Sequence, residues 1–303
     1  RRQVLPLCWD TRPREEGGQR WFHIHPDERI APHDVLFWTG IGSNWNHMCA
    51  ECHSTDLRRN YDVETDSWRT TFEEVSVGCE ACHGPGSVHV TRMRALANGE
   101  GLAGQNDDTL GLLVRLKEPL APDEEGVLTE AFWDFAPDRP TLRRTRPLAS
   151  SVQVDTCARC HSHRHVLSDS YAHGRPLLDH FEPSTLDRDL YHPDGQILAE
   201  VYVYGSFVQS RMHREGVRCT DCHDPHSTRL RLEGNTLCTS CHVADHFDTP
   251  SHHHHAEGSA GASCIECHMP HQVYMVVDPR RDHSFRVPRP DLSLELGTPN
   301  ACA

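Results

Sequence analysis

The sequence predicts a mainly irregular and α-helical fold, with short helices, one small β-hairpin insert and a core that is not built from aliphatic side chains. Only 37% of the 303 residues are hydrophobic, and the mean hydropathy is −0.62, which is low for an ordinary core in a chain of this length. The chain is instead rich in Cys, with 14 residues, and in His, with 25. We therefore expect groups bound by these residues to fill much of the interior.

The composition argues against three classes of protein. The net charge of −14, from 30 Lys and Arg against 44 Asp and Glu, disfavours binding to a nucleic-acid backbone, which needs a basic surface. No stretch approaches the roughly 18 apolar residues of a membrane-spanning helix, so no membrane span is predicted. Six Trp, six Tyr and nine Phe are spread along the chain, which disfavours complete disorder.

Twelve of the cysteines form six C-x-x-C pairs, numbered here in chain order as the first to the sixth motif, and a His directly follows each pair. The pairs are Cys49 and Cys52, Cys79 and Cys82, Cys157 and Cys160, Cys219 and Cys222, Cys238 and Cys241, and Cys264 and Cys267; the following residues are His53, His83, His161, His223, His242 and His268. C-x-x-C-H is the attachment signature of c-type haem, in which two thiols add to the vinyl groups and the His reaches the iron. The sequence therefore predicts six covalently attached haem c groups, with these His as proximal iron ligands.

Zinc sites and disulfides are the alternative uses of paired cysteines. Zinc also binds C-x-x-C pairs, but it does not require a His directly after the second Cys. Disulfide geometry does not require this His either. Because all six pairs carry it, the pattern favours haem over both alternatives.

Haem attachment also predicts the compartment. Thioether formation takes place outside the cytoplasm, so we expect the chain in the periplasm, at the cell surface or in the extracellular space. The sequence opens at Arg1-Arg2-Gln3 without an apolar signal segment, and we interpret it as a processed or partial chain.

The spacing of the motifs predicts three segments. Residues 1–99 form an N-terminal region with two motifs and a short helix in VHVTRMRALANG that ends at Gly99. Residues 100–150 contain neither Cys nor His, and GLLVRLKEPL and GVLTEAFWDF, separated by APDEEG, predict a β-hairpin insert. Residues 151–303 form a C-terminal region with four motifs. At about 50 residues per haem, the prediction is a multihaem cytochrome c fold organised around packed haems.

The remaining 19 His are enough to supply a second axial ligand to every iron, whereas the chain has only five Met. Imidazole is a good ligand for iron, so bis-His coordination is expected. Five candidates stand at patterned positions near the motifs: His89, His213, His226, His254 from the run 252–255, and His283. A sixth ligand is expected from His23, His25 or His47, with His23 preferred, and five other His are unassigned: His165, His173, His180, His192 and His271.

Three of these candidates follow a proximal His in the chain and are expected to serve a haem of another motif. His89 and His226 lie a few residues after a proximal His, and His283 trails the last motif. A proximal His and an imidazole three to six positions later share one side of the porphyrin. The later imidazole therefore reaches a neighbouring iron more easily than the opposite side of its own.

Long strings outside the motifs resemble a known family. The strings GCEACHGPGSVH, SRMHREGVRCTDCHDPHS, CIECHMP and VVDPRRDHSFRVPRPDLS are similar to those of multihaem c-type cytochromes of the cytochrome c-554 kind, which often carry tetratricopeptide repeats downstream. The resemblance covers essentially the whole chain. Two departures are a haem motif that usually precedes the start of this chain and the repeats, neither of which is present. The ending GTPNACA is similar to the opening of a further motif, and a disulfide between Cys8 and Cys302 is one use for the two remaining cysteines.

Two functions of different classes fit these observations. The first is electron transfer through closely packed bis-His haems, to redox partner proteins or to copies of the chain in an extracellular conductive filament. The alternative is a multihaem oxidoreductase acting on a small nitrogen or sulfur compound, which needs an iron with an open axial position. The atypical C-x-x-C-K motif that often marks such an iron does not occur in the sequence, so electron transfer without a catalytic residue is favoured. A docking module, the third reading, leaves the six motifs unexplained.

Overall fold

A computed structural model describes residues 1–100, 109–116, 133–135 and 138–302. Its chain divides into two compact units. The first unit comprises residues 1–116, 166–181 and 273–278, and the second comprises residues 117–165, 182–272 and 279–303. The first unit contains the first two motifs, and the second unit contains the other four. The predicted three-segment division remains a prediction.

Short hairpins and short helices make up the first unit. Its elements are β1 (Leu7–Asp10), β2 (Arg20–His23), a π-helix (Trp45–Cys49), β3 (Ser54–Thr55), β4 (Tyr61–Asp62), β5 (Ser67–Trp68), β6 (Glu74–Val75), α1 (Cys79–His83) and α2 (Ser87–Ala97). Antiparallel pairs join β1 to β2, β3 to β6 and β4 to β5. The predicted helix before Gly99 is confirmed as α2, because Gly99 has a positive φ of 75° and donates its N–H to the carbonyl of Leu96.

The remaining part of the chain contains more short helices, most of them in the second unit. Its elements are β7 (Trp133–Phe135), β8 (Leu142–Arg144), α3 (Val152–His161), β9 (Arg164–Val166), β10 (Phe181–Pro183), α4 (Tyr204–Gln209), α5 (Arg211–Arg214), α6 (Cys219–Cys222), β11 (His223–Asp224), β12 (Arg229–Leu230), α7 (Asn235–Thr239), α8 (Ala244–Phe247), α9 (Pro250–His253), α10 (Cys264–His268), β13 (His271–Tyr274), β14 (Asp278–Arg281) and α11 (Pro290–Leu296). Four 3₁₀ turns complete the two units: Arg14–Glu16, Ile41–Ser43, Leu177–Asp179 and Ala260–Ala262.

The predicted hairpin insert is present with a different pairing. Trp133 pairs with Arg144 and Phe135 with Leu142, so β7 and β8 form an antiparallel hairpin. The segment expected as its second strand, GVLTEAFWDF, thus supplies the first strand. Residues 111–116 of the expected first strand are not in a strand, and residues 117–132 lie outside the described residues.

The hydrophobic core is small, as the composition predicts. Among the described residues, eleven hydrophobic side chains are buried. Those of the second unit include Val154, Ala158, Tyr191, Val201 and Phe207. Cys8 lies in the first unit and Cys302 in the second, and a disulfide between them, within one chain or between two, remains a prediction. The described residues include no helix with the length and apolarity required to cross a bilayer.

Candidate functional site

Most of the six motifs lie on short helical turns. The second and sixth motifs coincide with α1 and α10, the third ends α3, and the cysteines of the fourth bound α6. The first motif begins at the last residue of the π-helix, and the fifth begins within α7. Residues three apart on a helix lie on one face. This conformation directs the two thiols of a motif to the same side, which is the arrangement that attachment to two vinyl groups of one porphyrin requires.

Hydrogen bonds orient several proximal imidazoles. The Nδ1 atom of His83 donates to the carbonyl of Val114 at 2.6 Å, and Nδ1 of His268 donates to the carbonyl of Arg286 at 2.9 Å. In the second unit Nδ1 of His242 lies 3.3 Å from Oγ1 of Thr141. A ring that donates through Nδ1 keeps the lone pair of Nε2 for a metal. The proximal imidazoles of the second and sixth motifs, His83 and His268, are therefore prepared for iron ligation through Nε2.

Two proximal imidazoles of the second unit face a second imidazole. The ring centroids of His223 and His283 are 6.3 Å apart with planes inclined at 26°. Those of His252 and His268 are 6.1 Å apart with planes inclined at 21°. A metal–imidazole bond of about 2.0–2.1 Å on each side of one ion places two ring centroids on the order of 6 Å apart. The centroid separations of both pairs therefore match those of two imidazoles bound to one iron.

Loss of solvent around the ring favours the neutral form of four imidazoles in the second unit, although two of these residues, His223 and His252, remain exposed. This desolvation lowers the pKa of His223 and, most strongly among several causes, the pKa of His283. Burial, followed by the nearby His268, also lowers the pKa values of His242 and His252. Neutral imidazole is the form that binds a metal. The electrostatics of the second unit therefore agree with its geometry.

The thiols of two motifs meet in the second unit. Cys238 of the fifth motif and Cys264 of the sixth lie close enough for a hydrogen bond between their thiols. This bond raises the pKa of Cys238 and lowers that of Cys264 to about 7. Since each of these thiols belongs to a different motif, the attachment points of two prosthetic groups would lie close together.

Two of the predicted distal ligands donate a hydrogen bond from Nδ1 to a backbone carbonyl, as the proximal His83 and His268 do. His89 lies on α2, and its Nδ1 donates to the carbonyl of Leu110 at 3.0 Å. His283 follows β14, and its Nδ1 donates to the carbonyl of Arg281 at 2.9 Å. Both rings therefore also keep Nε2 for a metal.

His213 lies on α5, on the wall of a cavity of about 840 Å³. Five arginines contribute to this wall: Arg143, Arg144, Arg146, Arg214 and Arg218. Arg144 and Arg218 share a single carboxylate, that of Asp221 within the fourth motif, at 3.1 and 3.2 Å. The wall thus carries excess positive charge, which suits carboxylates.

His226 and His254 lie at exposed positions. His226 follows β11, and its N–H donates to the carboxylate of Asp224 at 2.9 Å. His254 ends α9 with a left-handed backbone, φ 61°. The helical turn before it presents His252, rather than His254, to His268.

His23 and His25 differ in the nitrogen that they leave for a metal. The N–H of His25 donates to Nδ1 of His23 at 3.0 Å, so the proton of the neutral His23 ring belongs on Nε2. His25 instead donates from Nδ1 to the carboxylate of Glu28 at 3.1 Å, which leaves its Nε2 lone pair available. The geometry therefore favours His25 over the predicted His23 as a ligand.

Sequence reasoning left out other imidazoles that the structure singles out. His173 packs beside the end of the second motif, since a Cβ on Gly84 would meet its ring at 3.3 Å. His180 and His192 each bury one ring nitrogen that has no hydrogen-bond partner among the described residues. A buried unsatisfied nitrogen is costly unless it binds something. No sequence pattern distinguishes these residues from the other unassigned His.

Comparisons with known proteins agree with the motifs and the fold. The family model for the doubled CXXCH motif (Paired_CXXCH_1) matches residues 213–247, which contain the fourth and fifth motifs. The C-type polyheme cytochrome OmcC of Geobacter sulfurreducens is 25% identical over 224 residues, covering 68% of this chain and 27% of that protein. The chain thus spans about a quarter of the length of OmcC.

Two solved structures are also similar. The outer cell wall cytochrome OcwA aligns with a TM-score of 0.56 and 18% identity, covering 99% of this chain and 65% of that chain. The undecaheme cytochrome from the S-layer of Carboxydothermus ferrireducens aligns with a TM-score of 0.40 and 18% identity, covering 99% and 47%. The chain therefore shares the fold of the part of OcwA that it covers, whereas its resemblance to the cytochrome c-554 subfamily remains a prediction.

Proposed function

We propose that this chain, a multihaem c-type cytochrome, binds six haem c groups through its six motifs and transfers electrons through them. The observation that carries the proposal is two pairs of neighbouring imidazoles, His223 with His283 and His252 with His268. Haem supplies a one-electron iron couple, and the axial ligands are a main determinant of its potential. The residues of this chain attach, orient and enclose that couple.

The facing rings support a specific assignment of ligands in the second unit. His283 is proposed as the distal ligand of the haem of the fourth motif, whose proximal ligand is His223. His252 is proposed as the distal ligand of the haem of the sixth motif, opposite His268. In this scheme His283 follows the sixth motif in the chain but serves the fourth. With two imidazoles on each iron, no axial position is open to a substrate, which favours electron transfer over an enzymatic reaction.

The other distal ligands are proposed from orientation and surroundings. His89 is supported by the hydrogen bond that frees its Nε2, and His25 is preferred to His23 for the same reason. His213 is supported by the cavity beside it, whose arginines suit the carboxylates of a haem. His226 is kept from the sequence pattern.

Close packing of the groups supports a path for electrons. The contact between Cys238 and Cys264 would bring the haems of the fifth and sixth motifs together at their attachment edges. His161 of the third motif is close enough to His223 of the fourth for their charges to interact. Within the second unit, these contacts would link the third motif to the fourth and the fifth to the sixth.

The proposed setting is outside the cytoplasm. The printed descriptions of the similar structures place those proteins in an outer cell wall and in an S-layer, and covalent haem attachment points to the same side of the membrane. The partners proposed are redox proteins or further copies of the chain. Copies whose terminal haems meet in open, head-to-tail contacts would form a conductive filament.

The test is a count of haems and of their spin states in the isolated holoprotein. Intact mass should exceed that of the polypeptide by six haem units, and acid-acetone extraction should not remove them. The ferric protein should show only low-spin signals in electron paramagnetic resonance, and the native ferrous protein should not bind carbon monoxide rapidly. A high-spin signal together with carbon monoxide binding would instead support an enzyme with an open iron. A lower haem mass would contradict the count of six.

A further inference from the structure

Six consecutive residues in the second unit, Arg281 to Arg286, accept hydrogen bonds from two imidazoles, those of His268 and His283. The carbonyl of Arg281 accepts the Nδ1 proton of His283 at 2.9 Å. The carbonyl of Arg286 accepts the Nδ1 proton of His268 at 2.9 Å. His283 faces the proximal ligand of the fourth motif, whereas His268 is the proximal ligand of the sixth. One short segment therefore orients a ring for each of two haem sites.

The side chain of Arg281 joins this segment to the helix of the sixth motif. Its guanidinium donates to the carbonyls of Ile265 and Met269 at 3.2 and 3.0 Å, and to the carboxylate of Glu266 at 2.6 Å. The last carbonyls of a helix have no partner within it and are stabilised by such donors. Arg281 thus binds the C-terminal end of α10 through its side chain, and its carbonyl orients the ring of His283.

Buried hydrogen bonds fix the segment in place. The side chain of Asp282 is buried and accepts the N–H groups of Ile197 and Ser284 at 3.1 and 2.7 Å. The N–H of Asp282 donates to the carbonyl of Pro270, and the N–H of His283 donates to Oγ of Ser206. With both faces bonded to separate parts of the second unit, the segment has little freedom to shift at one ring without shifting at the other.

We infer that the segment 281–286 mechanically couples the haem sites of the fourth and sixth motifs, with Arg281 as the positioning residue. This inference rests on the proposed ligation of those two haems. The hydrogen bond at Nδ1 tunes the basicity of an axial imidazole and the orientation of its ring, and both influence the haem. A change at Arg281 is therefore expected to alter two haems together and leave the other four unchanged.

The experiment compares Arg281→Ala and Arg281→Lys with Arg289→Ala in the six-haem holoprotein. Arg289 is an exposed arginine that pairs with Asp291 next to α11, and it is the matched control for loss of a guanidinium. Covalent haem content is measured by mass, ligation by electron paramagnetic resonance, and potentials by a spectroelectrochemical titration.

Arg281→Ala should keep six haems but change the g values and potentials of two components. Arg281→Lys should restore part of the change, since an ammonium can still reach the helix carbonyls but lacks the fork that also binds Glu266. Arg289→Ala should match the wild type. A change in one component, in none, or equally in all six would overturn the coupling. If Arg281→Ala does not fold, the lysine variant carries the same two-component test.

Failure of the coupling is distinguishable from failure of the proposed ligation. If His283→Ala and His252→Ala leave every low-spin signal unchanged, the ligation itself is wrong. If those variants each convert one haem while Arg281→Ala alters none or only one, the ligation stands and the coupling does not.

Discussion

In both units a short segment orients imidazoles by its backbone, but the two segments differ in what else they provide. In the first unit, the carbonyls of Leu110 and Val114 accept the Nδ1 protons of His89 and His83. In the second, the segment 281–286 does the same for two rings, and it also supplies His283 itself and the side chain of Arg281. The first segment, residues 110–114, orients imidazoles with its backbone alone. The second, residues 281–286, uses both its backbone and its side chains.

The two segments therefore differ in how well they tolerate substitutions of their side chains. Any residue offers a carbonyl, so the first device tolerates side-chain changes provided that the backbone keeps its path. That path includes positive φ angles at Leu110 and Gly111, 54° and 83°, a region that favours glycine. In the second unit, a single substitution removes either the ring of His283 or the hydrogen bonds of the Arg281 side chain. We therefore expect mutations in the first unit to act by changing the backbone path, and mutations in the second to act by removing a side chain that binds or orients a ligand.

The largest effect is expected from His283→Ala. Loss of this ring should convert one of the six haems to high spin while all six stay covalently attached, because attachment uses the cysteines. Electron paramagnetic resonance and intact mass are the measurements. His271→Ala, which removes an exposed imidazole of the same unit, is the control. An unchanged spectrum for His283→Ala would show that the segment 281–286 does not supply an iron ligand.

A second comparison sets His252→Ala against His254→Ala. His252 faces His268 from α9 and belongs to neither segment. Loss of His252 should also give one high-spin haem. It should leave the other haems unchanged, whereas Arg281→Ala is expected to change two. His254→Ala should leave all signals low-spin. The reverse result would restore the sequence-based choice of His254.

The smallest effect is expected in the first unit, from Gly111→Ala. A Cβ at this position would lie 2.9 Å from Cγ1 of Val88 and 3.1 Å from the backbone nitrogen of His89, at a φ of +83°. The strain should cost about 1–2 kcal/mol of unfolding free energy, measured by denaturant titration. It should also shift the signal of one haem without changing its spin state. Wild-type stability with an unchanged spectrum would show that the carbonyl path is not a constraint.

The attachment residues could be predicted from sequence because C-x-x-C-H is a local pattern that carries its chemistry within five positions. The distal partners depend on tertiary structure. The run 252–255 offers four imidazoles, and the end of α9 at His253 determines which of them faces His268. The choice between His23 and His25 depends on the carboxylate of Glu28 and a backbone N–H. A hairpin insert was predicted from sequence, but the partner of Trp133–Phe135 is Leu142–Arg144, a segment that the strand pattern did not indicate.

The π-helical turn at the start of the first motif contains one residue more than an α-helical turn would need. The N–H of Ala50 donates to the carbonyl of Trp45 five residues earlier, and the side chain of Asn44 caps the turn at His47. An α-helix would reach the same point with one residue fewer. Deleting one residue here would convert the π-turn into an α-turn that still closes on the carbonyl of Trp45, so Cys49 would keep its direction relative to the preceding chain. The turn is therefore a place where the chain can lose one residue without redirecting the first motif and without the loss of a cysteine.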